Sequence, residues 1–300
     1  MRDIEDITLE KGETTKSIVK KLGTTGFQAS NISAAAELIK KMKSEEATIF
    51  LTFTANMMAS GLRGVFTQLV REGYVDAVIT TGGSIDHDII KSHKPYKLGS
   101  FKTDDIRLHK KGVNRIGNIM VSNDRYILLE KKMKQIFKNM YKKNKTFTPT
   151  QLNDYIGSTL PENSFLNECH KKKIPIFCPG MIDSAIGMHL FFFRQDHKDF
   201  IMNPAEDLSK LADIVFEAKK TGAIVMGGGI SKHHIIGANL LRGGLDYAVY
   251  VSTASEYDGS LSGAQPNEAK SWGKIKEKGD TVTIHADATI AAPLITAYIL

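Results

Sequence analysis

"AIVMGGGISKHHI" occupies residues 223–235. Four apolar residues read as a buried strand, three glycines as a turn, and the residues after them as the start of a helix. Working outward, the same form recurs in "ATIFLTF" (47–53), "VDAVITTGG" (75–83), "IPIFCPG" (174–180), "DYAVYVST" (246–253) and "TVTIHADA" (281–288). Most of these runs end in Gly, Pro or small polar residues and lead into a helical pattern. Strand–helix alternation of this kind predicts an α/β fold, with a parallel sheet and helices on both faces. Between the strands, "SNISAAAELIKKMKS" (30–44) reads as a helix capped by Ser30 or Asn31, and "ANMMASGLRGVFTQLVREG" (55–73) as one helix stopped by glycine. The stretch 130–170 reads as a helical insertion. Residues 1–24 read as an amino-terminal helical arm that could cover a site entrance, set before a single domain over 25–300.

Three hundred residues can bury a sizeable core, and 42% hydrophobic with 24% charged residues is ordinary for a soluble globular chain. No basic-then-apolar segment opens the sequence, and runs such as "LFFF" are far too short to cross a bilayer. Cys169 and Cys178 lack metal-ligand spacing and read as free thiols of a reducing, cytoplasmic compartment. No metal is expected. Much of the net charge of +7 sits in "KKMK" (40–43), "KKMKQIFKNMYKKNK" (131–145) and "KKK" (171–173). These runs read as solvated faces, since no nucleic-acid motif with interleaved aromatics accompanies them. An acidic protein partner for 131–145 stays open.

In parallel α/β sheets ligands bind beyond the carboxyl ends of the strands. That rule selects Asn56, "TTGGS" (80–84), Asp183, "GGG" (227–229), "STASEYDGSLSG" (252–263) and Asp287. Glycines let the backbone approach a phosphate, and helix amino termini favour anions. A tight turn explains the triple glycine equally well, because G-x-G-x-x-G is not matched. Asp183 and Asp287 suit ribose hydroxyls or helix caps. His233 and His234 suit acid–base work or a structural role; adjacent helical side chains diverge, which argues against a shared zinc. Lys274 follows the single tryptophan, Trp272, by two residues. A nucleophilic lysine needs apolar walls or a nearby cation, whereas Glu256, Asp258 and Glu268 favour the ammonium. The same carboxylates and the indole face suit a cationic amine ligand.

The segment "GGGISKHHIIGANLLRGGLDYAVYVSTASEYDGSLSGAQPNEAKSWGKI" (227–275) closely resembles the deoxyhypusine synthase family, marked by its DGS, SGA, EA and SWGK elements. "LTFTANMMASGLRG", "VDAVITTGG", "GVNRIGNIMVSNDRY" and "IPIFCPGMIDSAIG" resemble the same family in the same order, so the likeness covers roughly 25–295. The resemblance implies a Rossmann-like deoxyhypusine synthase fold and NAD as cofactor. It implies transfer of the aminobutyl group of spermidine to one lysine of the translation initiation factor 5A precursor. It places Lys274 as the imine-forming lysine and His233 as proton acceptor, with Glu268, Trp272, Tyr250 and Leu240 along the polyamine channel. Asn56, Thr80, Thr81, Gly82, Asp86 and Asp183 match cofactor-contacting positions. So do Gly227, Gly228, Gly229, Thr253, Asp258, Gly259, Ser262, Ala286 and Asp287. A homotetramer with sites at a dimer interface is implied as well. Three departures bear on the substrate: Met188 and Leu261 stand where eukaryotic members carry carboxylates, and Asp86–His87 where a Glu pair is usual. A homospermidine synthase-type reaction with a free diamine, or a donor such as agmatine, is the alternative. Nucleic acid and membrane partners are not expected.

Overall fold

The structure is a computed structural model and describes residues 3–300. The chain divides into two compact units, one running through Phe53 with Gln68–Ile79 and Ser209–Leu300, the other Thr54–Thr67 with Thr80–Leu208.

In the first unit, five parallel strands lie in the order Ile275–His285, Leu245–Ser252, Thr221–Met226, Thr48–Phe53, Ala77–Ile79. Every residue of Thr221–Met226 and Ala77–Ile79 is buried. This is the reading of a strand covered on both faces, and it explains why these runs are continuously apolar where a one-sided strand would alternate. Register shows which helix covers which face. Gly222 pairs with Tyr247, and a Cβ on Gly222 would lie 2.7 Å from the Met42 sulfur of helix Gln28–Ser44. Neighbouring residues point the other way: the Thr221 hydroxyl donates to Asn239 at 2.8 Å, just past helix Gly229–Ala238. Val225 and Tyr250, paired in register, share this second face.

Several boundaries differ from the sequence reading. Helix Gln28–Ser44 starts two residues before the proposed cap, with Phe27 as its N-cap residue. The expected 55–73 helix is two, Ala55–Ser60 and Leu62–Arg71, because Gly61 leaves helical dihedrals between them. The glycines of "TTGG" open helix Gly82–His93. Strand Ile275–His285 begins six residues earlier than read, immediately after Lys274. Of the amino-terminal arm, Thr15–Leu22 is helical, capped by the Thr14 hydroxyl and packed on helices Ala288–Ile299 and Gln28–Ser44; the reading of its first two residues lies outside the described ones.

The second unit is mainly helical: Asn123–Lys143, Pro149–Thr159 and Phe165–Lys172 occupy most of 123–172. Leu129, Met133, Ile136, Phe137 and Met140 bury one stripe of Asn123–Lys143, and Phe137 packs among Phe193 and Phe200 with centroids 5.7 and 5.9 Å away. The opposite face is the lysine run, where Lys131, Lys132, Lys138, Lys142 and Lys143 are exposed. That is the solvated arrangement.

Two buried carboxylates on helix Gly82–His93 tie this unit together. Asp88 accepts from Arg63 Nε at 2.5 Å, from the Ser164 hydroxyl at 2.7 Å and from the Leu166 amide at 2.8 Å, so it fastens the start of helix Phe165–Lys172. Asp86, 4% exposed, accepts from the amides of Ala185 and Ile186 at 2.8 and 3.1 Å and so serves the orphan donors of helix Ala185–Asp196. Burial outweighs those two bonds and pushes its carboxyl up to about 7. Burial moves the adjacent His87 imidazole, bonded to the Tyr96 hydroxyl at 2.7 Å, the opposite way, down to about 4.

Replacing Asp88 with Asn leaves the Arg63 guanidinium without its counter-ion, so unfolding by urea should show a loss of about 3–5 kcal/mol; a loss under about 1 kcal/mol would mean that the pair is dispensable. The Asp86–His87 neighbours set opposed pH dependences. Folded His87 resists protonation below its ordinary 6.5, so stability is lost as pH falls from there toward 4. Folded Asp86 takes its proton near 7 instead of 3.8, so stability is gained as pH falls through that window. Asp86→Asn removes the gain, and the variant should lose about 3 kcal/mol more than the parent between pH 7 and 4.5. Parallel pH profiles for the two proteins would refute the assignment.

Candidate active site

Parallel register brings three strand ends of the first unit onto one edge. Met226 lies opposite Val251, and Ser252 opposite His285. The residues just beyond are Gly227, Thr253 and Ala286–Asp287, neighbours in space although sixty positions apart in sequence. Gly227 and Gly229 adopt φ of 90° and 67°, which only glycine takes at little cost. Gly228 is glycine for a different reason: a Cβ there would fall 2.5 Å from Ser262 Cα. The Ser262 hydroxyl accepts from the Gly229 amide at 3.1 Å. Helix Gly229–Ala238 starts at this turn, directing its first amides and positive dipole end at the strand edge, a cradle that fits a phosphate. Asp287 caps helix Ala288–Ile299 through the Thr289 amide at 2.8 Å. Asp258 accepts from the Ser260 amide at 2.7 Å, and bonds from Ser260 hold its carboxyl below the usual range; Gly259 follows with φ 71°.

"SWGK" is a helix stop. Helix Pro266–Ser271 ends with Trp272 as C-cap. Gly273 takes the left-handed conformation, φ 68°, its amide bonding Lys270 O at 2.9 Å while the Lys274 amide bonds Ala269 O at 2.9 Å. These two bonds make a Schellman motif. Its second residue past the helix is Lys274, whose carbonyl accepts from the Leu245 amide at 3.0 Å. The lysine is therefore anchored on both sides, by a helix terminus and by a sheet edge. Its ammonium sits 5.2 Å from the Trp272 ring centroid. Leu240 reaches the same corner, 3.7 Å from where a Cβ on Gly273 would be.

Lys274, Trp272, Glu268, Tyr250 and Leu261 line one small pocket, partly open to solvent. Tyr250 is buried and its hydroxyl has no partner among the described residues. Glu268 is the only carboxylate in the lining, and Leu261 an apolar patch of the wall. Trp272 is 67% exposed and half-buried Lys274 borders the pocket. His233 is exposed, in the second turn of its helix, and is absent from the pocket wall. The residue before it is the one that sequence reasoning missed. Lys232 lines the pocket while only 2% exposed, and burial pushes its ammonium down to about 8, partly countered by Glu268. The signal was present: Lys232 precedes Ile235 and Ile236 by three and four positions, the spacing of one helix face, and both isoleucines are buried.

The remaining candidates gather in the second unit. The Thr80 hydroxyl donates to Ser84 at 2.7 Å and Thr81 lies 3.4 Å from the same oxygen. Gly82 abuts Ser184, since a Cβ on it would fall 2.5 Å from Ser184 Cβ. Exposed Asp183 precedes Ser184, the cap of helix Ala185–Asp196. A Cβ on Gly83 would lie 3.0 Å from that of Ala55, next to exposed Asn56, whose amide oxygen accepts from Thr54 at 2.6 Å. Asp86 is engaged with its two amides, as described above. Met188 is 55% exposed on helix Ala185–Asp196. Among the described residues no cluster of three metal-ligating side chains occurs, and no helix is long and apolar enough to cross a membrane.

Comparison with known proteins bears on all of this. The family model for deoxyhypusine synthase matches residues 17–299. A probable deoxyhypusine synthase of Picrophilus torridus is 42% identical over 297 residues, spanning 98% of this chain and 96% of the relative. One from Halobacterium salinarum is 45% identical over 279 residues, 91% and 84% of the two chains. A solved structure given the same provisional assignment, from Entamoeba histolytica, superposes with a TM-score of 0.74 at 26% identity, covering 98% of this chain and 96% of that one. On this evidence the chain belongs to the deoxyhypusine synthase family.

Proposed function

We propose that this chain transfers the 4-aminobutyl group of spermidine to one lysine of a translation factor precursor in an NAD-dependent reaction. The observation that carries the reading is the Lys274–Trp272 pair, held by a helix stop at the mouth of a pocket whose one carboxylate is Glu268. Family membership supplies the reaction class.

A nicotinamide dinucleotide would supply the two-electron redox chemistry; the glycine turn 227–229 and the helix behind it suit its phosphates. The chain's own groups do the rest. Glu268 binds an ammonium end of the donor, the indole face of Trp272 packs on its methylenes and charged nitrogen, and the Tyr250 hydroxyl oxygen accepts from a donor ammonium. His233, in the role the family resemblance implies, takes a proton from the amine as the donor is oxidised. The Lys274 amine then adds to the imine carbon, the donor's three-carbon diamine leaves, and Lys274 holds the butyl group as an imine. The acceptor lysine displaces Lys274 in the same way, and the electrons taken from the donor return when the transferred imine is reduced. An imine survives only where water is excluded. Trp272 at 67% exposure leaves this pocket open in a single chain, which supports the family's homotetramer with a second subunit over the site. A cytoplasmic location agrees with this substrate.

A second reading rests on Leu261, a pocket residue without the carboxylate that eukaryotic members place there. A donor with one fewer positive charge, such as agmatine, or a free diamine as acceptor, fits that wall.

Purified protein with NAD and spermidine, with and without the acceptor protein, separates these readings when borohydride is added to trap the imine. The expected result is a four-carbon adduct on Lys274, acceptor labelling, and loss of both in Lys274→Ala. Glu268→Gln should raise the donor KM about tenfold or more, the worth of a charged hydrogen bond. NAD reduction without acceptor labelling favours a free diamine; consumption of agmatine alone favours the changed donor. No adduct with any amine refutes the proposal.

A further inference from the structure

A lysine ammonium is costly to bury, and Lys232 is buried in the wall of the pocket just described. Its environment shows what it holds. The ammonium donates to the carbonyl oxygens of Leu261 and Ala264 at 2.9 and 2.7 Å and lies 4.3 Å from the centre of the Tyr250 ring. Between those carbonyls, Ser262 receives the Gly229 amide and packs on Gly228. Gly263 is so tightly folded that a Cβ would meet Ser255 O at 1.7 Å. Three residues of the 255–264 loop are thus fastened to the first turn of helix Gly229–Ala238. The loop carries Leu261 into the pocket and leads directly into the helix that presents Glu268, Trp272 and Lys274.

An apolar side chain would fill the same volume without the desolvation penalty. What the ammonium adds is a directional hold on two backbone carbonyls, that of Ala264 and that of Leu261, the latter also accepting from the Ala264 amide at 3.2 Å. Two of its three hydrogens are used there and the third faces the tyrosine ring. We infer that Lys232 is a positioning residue: its ammonium clamps the 255–264 loop onto helix Gly229–Ala238 and so keeps the pocket beside Lys274 in its amine-binding shape. The kinetic part of this inference rests on the amine-donor reading above; the loop clamp does not.

The test uses the full-length protein carrying Lys232→Met, Lys232→Arg and Lys232→Gln. Hydrogen exchange of the 256–264 amides, read by mass spectrometry, reports the clamp without any assay of activity. In Lys232→Met, exchange in this segment should accelerate at least tenfold while thermal unfolding moves by only a few degrees. Donor KM should rise about tenfold or more with kcat changed less, as expected for loss of charged hydrogen bonds that shape a binding site. Arginine should restore part of the loop protection, because its guanidinium also donates to two carbonyls; glutamine, with a neutral donor, should restore less. Loop exchange unchanged in Lys232→Met overturns the inference. So does a fall in kcat with donor KM and loop exchange as in the parent, which would place Lys232 in the chemistry itself. If Lys232→Met fails to fold, slowed loop exchange in the arginine relative to the glutamine variant supports the clamp, and equal exchange in the two overturns it. If no amine is turned over by the parent protein, the donor reading falls while the exchange result still decides the clamp.

Discussion

Parallel pairing is the constraint from which the site follows. Strands that run the same way cannot be joined by tight hairpins, so each connection crosses a face of the sheet and every strand delivers its carboxyl end to the same edge. In the first unit this places Gly227, Thr253 and Asp287 side by side. The strands stay parallel because both faces are covered, one by helix Gln28–Ser44 and the other by helix Gly229–Ala238. Side-chain alternation then divides the labour. Tyr247 faces the first helix, with its hydroxyl bonded to Glu45, and Tyr250 faces the second, beneath Lys232. A shift of one residue would exchange the two tyrosines and empty the pocket of its hydroxyl.

Much of this was legible in the sequence, and the exceptions have different causes. Continuous apolar runs followed by glycine gave the strands, because burial on both faces removes polar alternation. The "SWGK" motif marked Lys274, but that it is a helix stop became visible only with the short helix Pro266–Ser271 and the left-handed Gly273 in view. The resemblance matches Asp86 to a cofactor-contacting position; what the sequence did not show is that its carboxylate serves amides 99 and 100 positions away. No local pattern announces a partner at that separation. Lys232 was passed over for the opposite reason. A lysine next to two histidines reads as solvated, although its spacing from Ile235 and Ile236 put it on the buried face.

The charge distribution resolves a tension in the composition. A chain with net charge +7 would repel a cationic donor at long range if that charge were spread around the pocket. The pocket lining itself holds two lysines, Lys232 and Lys274, and one carboxylate, Glu268. The lysine run of Asn123–Lys143 stands on the outward side of its helix, with its apolar stripe turned into an aromatic cluster. At the pocket, the charge of Lys232 is spent on two carbonyls and a ring, leaving Glu268 as the anionic group available to a ligand.

The Lys232 contacts run to backbone oxygens and not to the side chains of Leu261 and Ala264. Whatever residue occupies 261 offers the same carbonyl, so the loop can keep its path while the side chain exposed to the ligand is exchanged. Lys274 is fixed elsewhere, by a helix terminus and a strand. In this arrangement the Lys274 anchor and the side chain at 261 are mechanically separate. Under the proposed function, a substitution at 261 changes the wall that meets the donor while leaving in place both the Lys274 anchor and the loop that frames it.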